Sequence, residues 1–489
     1  YVWLQGFGSY GGFDTGWGFY FGITKLDFNY SPRHVSYDSL GMNFDKTNTS
    51  MCDSNGNLLF YSNGIYIANK LDEKIENSDS LNAGAFQYEW DSSIQHDGYR
   101  TPQGIIALPF SNNPNRYHLI HSFVDTINIA DLLGKRILYT LLDMSENAGH
   151  GKVEFKNHVI VDDSIQTSFT ACRHGNGRDW WILILKNGTG CSYRLLVTDN
   201  GIEVLPTLTC FNDTISRKSV CSVCFSPDGS KYVFLDGYKG LYISDFDRCS
   251  GEISNTIHIP MYLSGALGTA ISPNSRFLYA SMGHNLFQFD LQAADIPGSM
   301  DTVGVFDNTN APFPAVFHTA QSGPDGKIYI SCGNTDTVYH VIERPDEKGD
   351  SCLFKQHSLS LPSPSAGVPS FPNYRLGALA GSACDTLTGL AETERAEKER
   401  IIKVYPNPTT DFVTIDYGFT DWNKGEADLE ITNALGQIVH KQKLPMYSGY
   451  QKLDISSYPS GVYNAFIMRG SSPNGGKGTV VAVAKWVKE

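Results

Sequence analysis

One short segment of the sequence concentrates side chains that could carry out chemistry. His174, Arg178 and Asp179 lie within six residues and are followed at once by Trp180. A carboxylate such as Asp179, with a partner carboxylate about 5–10 Å away, would suit a glycoside hydrolase or lyase. The same residues also predict a hairpin turn at Asn176-Gly177 that leads into a buried strand. We favour the turn, so these three residues stay candidates and no catalytic residue is predicted.

Other patterns for catalysis or metal binding are missing. The sequence has no Gly-x-Ser-x-Gly nucleophile turn, and it has no Rossmann or Walker loop. The thirteen histidines lack the spacing of a metal site. Cys221 and Cys224 have the spacing of a metal pair, but their segment predicts a strand, which would point them to opposite faces. The sequence therefore predicts neither a metal nor a cofactor.

Composition excludes some partners and favours one compartment. The 51 acidic and 38 basic residues give a net charge of −13, whereas nucleic acid requires a basic surface. No apolar run reaches the length of about 18 residues that a transmembrane helix needs. The chain opens at Tyr1 without a Met or a leader, so it is either cytosolic or a processed form, and the later motifs favour processing. Ten cysteines fit an oxidising compartment, although the sequence does not determine their pairing.

The elements that would position these residues are short strands that recur with the same turn. A polar turn rich in Gly, Asn, Asp or Pro precedes an alternating strand, a polar break and a second strand. Copies begin at Asp53, Asn112, Arg173, Ser226, Ser272 and Gly323. Their spacing of about 45–60 residues is typical of propeller blades. We predict an all-β chain that begins with a propeller of about seven blades, with six or eight as alternatives.

Two further predictions concern the rest of this region. A seventh blade would combine the strand Trp17–Gly22 with the segment Cys352–Leu379, so that the chain ends close the ring. The segment Ile129–Leu142 has an apolar face that suits a helix, although its end also suits a strand. A charged stretch, Leu390–Arg400, separates this region from a second pattern. We predict a propeller over 1–384, a linker over 385–400 and a second domain over 401–489.

The last part of the chain predicts a small antiparallel, immunoglobulin-like β-sandwich, because short alternating strands follow one another within fewer than about 90 residues. Its motifs occur in a characteristic order, which is Tyr405–Pro408, the hairpin Asn433–Gln437, Gly461–Tyr463 and Lys485–Lys488. This order resembles the type A sorting domain of the type IX secretion system of Bacteroidetes. The residues that carry the resemblance are Pro406, Asn407, Pro408, Gly436, Gly461, Tyr463, Lys485 and Lys488.

The resemblance implies export. A leader would take such a protein across the inner membrane, and the type IX translocon would take the folded cargo to the cell surface or the medium. A sortase often removes the sorting domain. The first 380 or so residues resemble secreted Bacteroidetes propellers that have no agreed reaction, on residues such as Asp53–Gly64 and Pro372–Gly377.

Three functions remain open for the propeller. We favour a non-enzymatic module that binds a surface protein or polysaccharide, or assembles with copies of itself. The alternatives are a carbohydrate-active enzyme that uses the propeller funnel, and a structural subunit of a surface layer or filament. The sequence does not name the ligand.

A recurrent triplet predicts a modification. Asp followed by Ser or Thr and then an apolar residue resembles the acceptor site of Bacteroidetes O-glycosylation, and it also suits the capping of turns. Thr126 and Thr214 lie between repeats and Thr386 lies in the linker, so these three are the best placed. The candidate hydroxyls are those of Ser39, Ser80, Thr126, Ser164, Thr214, Thr302, Thr337 and Thr386.

Overall fold

Strands form almost all of the regular structure of this protein. The computed structural model describes residues 1–9, 12–16, 18–85, 87–88, 98–125, 133–211, 213–217, 221–261, 267–385, 402–418, 427–434, 436–444, 448–469 and 479–489. The chain divides into two compact units, Tyr1–Asp385 and Thr386–Glu489. Short 3₁₀ turns occur at Asn147–Gly149, Pro297–Ser299 and Gly349–Cys352. No helix in the described ranges is long and apolar enough to cross a membrane.

Among its described residues the first unit contains eight antiparallel sheets, of which seven are the blades of a propeller and one is a two-stranded hairpin. The first three blades, and a hairpin inserted in blade 1, come from the N-terminal part of the chain. Blade 1 has β1 (Val2–Gly6), β4 (Ile23–Asp27) and β5 (His34–Asp38), and the inserted hairpin has β2 (Phe13–Asp14) and β3 (Phe19–Tyr20). Blade 2 has β6 (Thr49–Cys52), β7 (Leu58–Ser62) and β8 (Ile67–Asn69). Blade 3 has β9 (Ile105–Pro109), β10 (Arg116–Val124), β11 (Gly134–Asp143) and β12 (Lys152–Ile165).

The other four blades follow in chain order, each with four strands in sequence from one edge to the other. Blade 4 has β13 (Ala171–Arg173), β14 (Trp180–Leu185), β15 (Cys191–Thr198) and β16 (Gly201–Val204), and β17 (Thr209–Cys210) also pairs with β15. Blade 5 has β18 (Cys221–Phe225), β19 (Lys231–Asp236), β20 (Gly240–Phe246) and β21 (Ile253–Pro260). Blade 6 has β22 (Leu267–Ile271), β23 (Phe277–Met282), β24 (Asn285–Asp290) and β25 (Asp301–Val305). Blade 7 has β26 (Ala320–Ser322), β27 (Ile328–Ile330), β28 (Asp336–Ile342) and β29 (Phe354–Ser365).

The recurring turn that the sequence shows joins the first and second strands of blades 2 to 7. In blade 5, Gly229 has a φ of +74°, which an L-residue rarely adopts. The carboxylate of Asp228 accepts a hydrogen bond from the backbone N–H of Ser230 at 2.9 Å, which holds the turn closed. We call the end of the propeller where these turns lie the turn face.

Alternation along each strand packs neighbouring blades together. In β19, Tyr232 and Phe234 belong to the hydrophobic cluster shared with blade 4, whereas Val233 and Leu235 belong to the cluster shared with blade 6. Each such side chain, fully buried, contributes about 1.5–3 kcal/mol. A single blade cannot cover both of its faces, so the blades are stable only as a ring.

The ring closes differently from the prediction. Blade 1 uses β1, β4 and β5, not the strand predicted at Trp17–Gly22, and β29 is the outer strand of blade 7. The N-terminal half of the predicted closure is therefore wrong. Residues 366–385, the closing segment, follow β29. Its Ser370 N–H donates to the carbonyl of Asn48 at 3.2 Å, and its Phe371 ring lies 5.8 Å from Trp3. The C-terminal part of the predicted segment thus closes the ring beside β1.

The predicted helix at Ile129–Leu142 is also wrong where the structure describes it, and the alternative of a strand at the end of the segment is confirmed. Residues 134–143 form strand β11, which pairs with β10 on one side and β12 on the other. Residues 129–132 lie outside the described ranges. An apolar run buried on both faces looks alike in a helix and in a central strand, so periodicity did not separate them.

The second unit is a sandwich of two sheets. One contains β30 (Ile402–Tyr405), β31 (Phe412–Gly418) and β34 (Ser448–Asp454). The other contains β33 (Ile438–Leu444), β32 (Ala427–Asn433), β35 (Gly461–Arg469) and β36 (Thr479–Lys488), in that order. Apolar residues from both sheets form one core, whose largest member is the fully buried Trp486. The predicted all-β architecture of a propeller followed by a small sandwich is confirmed.

Two pairs of cysteines form disulfides. Cys191 pairs with Cys210 inside blade 4, and Cys249 of blade 5 pairs with Cys384 of the closing segment. Cys221 belongs to the cluster shared with blade 4, while Cys224 packs against the cluster shared with blade 6. The two thiols therefore point to opposite faces of β18, as alternation predicts.

Candidate functional site

The residues of the C-terminal motifs lie together at one end of the sandwich. Cross-strand pairing places Tyr463 between Asn433 and Trp486. The same register places Gly461 opposite Lys488, and Thr409 forms a bridge to Lys488 from the other sheet. Segments that are up to about 80 residues apart in the sequence thus meet within one or two residues of each other. We call this place the motif end.

The loop Pro406–Pro408 fastens the last strand to the opposite sheet. The side-chain oxygen of Asn407 accepts a hydrogen bond from the Val487 N–H at 2.9 Å, and its amide donates to the Lys485 carbonyl at 3.3 Å. Thr409 continues this pairing, because its N–H donates to the Val487 carbonyl at 3.0 Å and its carbonyl accepts from the Glu489 N–H at 2.9 Å. The first and the last motif of the domain are therefore hydrogen-bonded to each other.

Gly436 and Gly461 have different structural roles. Gly436 has a φ of +78° in the turn after β32, where its N–H donates to the Asn433 carbonyl at 3.0 Å. That backbone conformation strains any residue with a Cβ. Gly461 has a φ of +158° and opens β35 opposite Lys488.

Tyr463 and Trp486 form the core of the motif end. Their rings stack at 5.5 Å, and the Tyr463 hydroxyl donates to the Pro459 carbonyl at 2.7 Å. Trp486 is fully buried, whereas its neighbour Lys485 is exposed. Lys488, at 9% exposure, is mostly buried. The alternation along β36 thus puts the tryptophan inside and Lys485 where a partner can reach it.

A shallow groove runs beside the same loop. Within it, the Lys452 ammonium lies 4.6 Å from the centre of the Phe412 ring, close to the distance of a cation–π contact. Its lining combines apolar, hydroxyl and charged side chains, from Pro406, Pro408, Thr409, Thr410, Asp411, Phe412, Thr414, Lys452 and Glu489.

We predict that Asn407→Ala weakens the sorting-type sandwich without changing its core. The substitution removes the two hydrogen bonds that hold β36, and each such bond is worth about 1 kcal/mol net. The free energy of unfolding of the sandwich should fall by about 1–2 kcal/mol in urea titrations. Asn464→Ala, on the neighbouring strand β35, is the matched control and should change stability less. Equal losses in the two variants would contradict a special role for Asn407.

The candidates in the propeller lie in the turn between β13 and β14. The Asn176 amide donates to the Asp179 carboxylate at 2.6 Å, and the Asn176 side-chain oxygen accepts from the Arg178 N–H at 2.9 Å. His174 is 7% exposed, and burial lowers its pKa. Its Nδ1 accepts from the Asn176 N–H at 3.0 Å, so a neutral ring donates from Nε2 to the Cys249 carbonyl at 3.1 Å. These contacts are those of a turn, which is the interpretation the sequence favours.

Two side chains link separate blades of the propeller. Gln103, just before β9 of blade 3, pairs with the backbone of Val223 in blade 5. Its amide donates to the Val223 carbonyl at 2.8 Å, and its oxygen accepts from the Val223 N–H at 2.9 Å. On the turn face, the closing segment places Tyr374 against blades 3 and 4. The Tyr374 hydroxyl donates to the Ala107 carbonyl at 2.7 Å, and its ring meets Trp180 at 5.8 Å.

The triplet hydroxyls differ in exposure. Two of the eight candidates, Thr126 and Thr386, lie outside the described residues. In three triplets the Asp carboxylate accepts the N–H of the next residue, at Ser39 (2.9 Å), Ser164 (2.7 Å) and Thr214 (2.6 Å). Among the described hydroxyls, those of Ser80 and Thr337 are half-buried, and those of Ser39, Ser164, Thr214 and Thr302 are exposed.

Sequence reasoning missed several contacts that link distant segments. The pairing of Asn407 with β36, the bridge from Gln103 to Val223 and the Cys249–Cys384 disulfide join residues 80, 120 and 135 positions apart. A single sequence carries no spacing signal for such pairs. Only the even number of cysteines hinted at disulfides.

Known proteins support the assignment of the second unit. Residues 403–479 match the family described as the secretion system C-terminal sorting domain. The class is therefore an exported all-β protein. More particularly, it is a propeller that carries a type IX secretion sorting domain at its C-terminal end, and this domain implies interaction with the secretion system.

The solved structures to which this chain is similar are distant from it. No curated protein matches the sequence. A functionally unknown protein from Desulfotomaculum acetoxidans is 12% identical, with a TM-score of 0.41 over 72% of this chain and 96% of its own. The Dos1 propeller is 12% identical, with a TM-score of 0.40 over 72% of this chain and 80% of its own. The propeller assignment follows from the seven blade sheets of this chain alone.

Proposed function

We propose that this protein is displayed on the outer cell surface or released outside the cell, where its propeller acts as a binding or assembly module. The observations that carry the proposal are contacts between blades that are not neighbours and a turn face that is partly covered. Gln103 bridges blades 3 and 5, and the closing segment lies over the turn face. A propeller enzyme needs a funnel in which reacting groups converge on a substrate. A bridge between blades 3 and 5 and a partly covered turn face favour recognition by the outer surface instead.

The motif end supports the export half of the proposal. Its exposed Lys485 and the rigid loop Pro406–Pro408 present a fixed surface that the translocon would recognise. A sortase would act in the stretch between the two units, so the propeller would remain as the functional product. The proposed partners are the translocon, its sortase, and a surface protein, a polysaccharide or further copies of the chain.

The test of the propeller's role is its native assembly state together with its ligands. Protein purified from the surface of the producing cells should elute as a complex larger than a monomer, or should bind surface polysaccharide from the same cells. Multi-angle light scattering and a polysaccharide pull-down measure the two outcomes. A monomer that cleaves the polysaccharide and forms no stable complex would contradict the proposal and favour the enzyme alternative. A regular polymer would favour the structural subunit.

The enzyme alternative makes a separate demand on the turn between β13 and β14. If Asp179 were catalytic, Asp179→Asn would abolish any cleavage of polysaccharide. In the wild type, the Asn176 amide donates a hydrogen bond to the Asp179 carboxylate. The proposal expects that the substitution alters only this turn. No carbohydrate cleavage is expected from either form of the protein.

We also propose that exposed triplets carry O-linked glycans. In β12, Ile165 is fully buried while Ser164 is exposed, so alternation turns an apolar anchor inward and the hydroxyl outward. The same outward position at Thr214 keeps a bulky sugar clear of the core. Glycans at such sites would protect the loops from proteases and add solubility.

Mass spectrometry of the native protein should find hexose-containing additions on at least two of the eight hydroxyls. Ser54 is the internal control, because it is exposed and follows Asp53 but precedes the polar Asn55. It should remain unmodified. Fully unmodified peptides that cover Thr126, Thr214 and Thr386 would contradict the proposal and leave turn capping as the role of the triplets.

A further inference from the structure

The closing segment is held to the turn face by contacts that follow one another along the chain. Asn373 donates from its amide to the Pro227 carbonyl at 2.8 Å, and Leu379 donates from its N–H to the Gly175 carbonyl at 2.7 Å. Between them, the guanidinium of Arg248 donates to the carbonyl of Gly377. The segment therefore reaches blades 4 and 5 after it has closed blade 1.

These contacts leave much of the segment open to solvent. Residues 377–381 are all exposed, and Arg375 is exposed with its guanidinium 4.7 Å from the centre of the Tyr1 ring. Hydrogen bonds in water contribute little net free energy, so they would not by themselves hold this exposed part of the segment. Leu376 packs against the cluster shared by blades 4 and 5, and beyond it the disulfide restrains the exposed residues 377–381.

That bond is placed where it restrains the segment best. Cys384 lies one residue before Asp385, where the first unit ends. It is 7% exposed and forms a disulfide with Cys249. Cys249 follows Arg248 in a turn, and its carbonyl accepts the hydrogen bond from Nε2 of His174. Both sulfurs pack against Gly175, where an added Cβ would lie 2.2 Å from one and 3.0 Å from the other. The disulfide thus ties the end of the ring-closing chain to blades 4 and 5.

We propose that the Cys249–Cys384 disulfide is a redox-dependent clasp that keeps the closing segment on the propeller. Reduction by a dithiol would break the Sγ–Sγ bond. Each sulfur would gain one electron and one proton to become a thiol, while the dithiol becomes a disulfide. Formation of the clasp is the reverse reaction, with a disulfide-bearing oxidant as the electron acceptor. After reduction, the segment is free to detach from the propeller, beginning at its C-terminal end. The ring therefore closes firmly only where such an oxidant is present.

The inference rests on the proposed export, which delivers the chain to an oxidising compartment. It also explains how the ring would stay closed once the sorting domain is removed, because the cross-link lies on the propeller side of the junction. Its test uses purified protein alone, so failure of export or of ligand binding would leave the result unaffected.

Limited trypsin digestion of the full chain measures the clasp at Arg375. Mass spectrometry follows the cut after Arg375 in the wild type, with and without dithiothreitol, and in the double variant C249S/C384S. We expect reduction or the double substitution to speed this cut at least about tenfold, because cleavage follows the population of the open segment. The matched control is C191S/C210S, which removes the disulfide inside blade 4 and should leave the rate at Arg375 unchanged.

Equal cleavage rates at Arg375 in the wild type and C249S/C384S would overturn the proposal. If the double variant fails to fold, hydrogen exchange of the wild type decides the matter. The Leu379 amide should then exchange at least about tenfold faster after dithiothreitol is added, while amides of β19 stay protected. Unchanged protection at Leu379 in the reduced protein would equally overturn the clasp.

Discussion

A chain that ends at Ser365 is expected not to form a stable propeller, whereas a chain that ends at Asp385 is expected to fold on its own. The shorter chain lacks the closing segment, and with it Val368 and Phe371, which pack against Trp3 in the cluster between blades 1 and 7. It also loses the hydrogen bond from Tyr374 to Ala107 and the disulfide partner of Cys249.

The size of the loss decides the outcome. Burial of one large apolar side chain contributes about 1.5–3 kcal/mol, and a native disulfide typically contributes about 2–5 kcal/mol. Together these losses are comparable with the whole free energy of unfolding of an ordinary domain, about 5–15 kcal/mol. Expression of both chains, followed by circular dichroism melts, measures the difference. The chain that ends at Asp385 should be soluble and melt cooperatively. Equal melting temperatures for the two chains would show that the blades close without the segment.

Removal of Lys485–Glu489 should unfold the sorting domain and stop export. The deletion takes Trp486 from the centre of the core, and the loss of a buried tryptophan side chain costs about 3–5 kcal/mol. It also removes the backbone bonds of Val487 and Glu489 to Asn407 and Thr409. A small sandwich has a small free energy of unfolding, so losses of this size should unfold it.

The truncated protein should accumulate in the periplasm, which cell fractionation followed by immunoblotting would detect. Val487→Thr is the matched control, because the Val487 side chain is 38% exposed while its backbone N–H makes the bond to Asn407. This variant should reach the surface at the normal level. Normal surface levels of the truncated chain would contradict the role of the motif end as the export signal.

The local pattern of the sequence determined which elements form and where the hairpins turn. The recurring turns located the joint between the first two strands of six blades, and in four of them a Gly adopts a positive φ that few other residue types accept. The ordered motifs of the last 85 or so residues indicated the sorting domain through their resemblance to a known family, which the family match over residues 403–479 supports. Over the described part of Ile129–Leu142 the strand alternative is correct and the helix is wrong, because burial on both faces removes the periodicity that separates helix from strand.

Only the tertiary structure decided which distant segments meet. The sequence did not show that Asn407 would form hydrogen bonds with β36 or that Gln103 would bridge blades 3 and 5. It also did not show that Cys384 would form a disulfide with Cys249. It also suggested the wrong N-terminal strand for closing the ring. Turn and strand preferences depend on a few adjacent residues, so one sequence displays them. Contacts across 80 to 135 residues depend on how the folded blades and sheets stack, and no local pattern encodes that geometry.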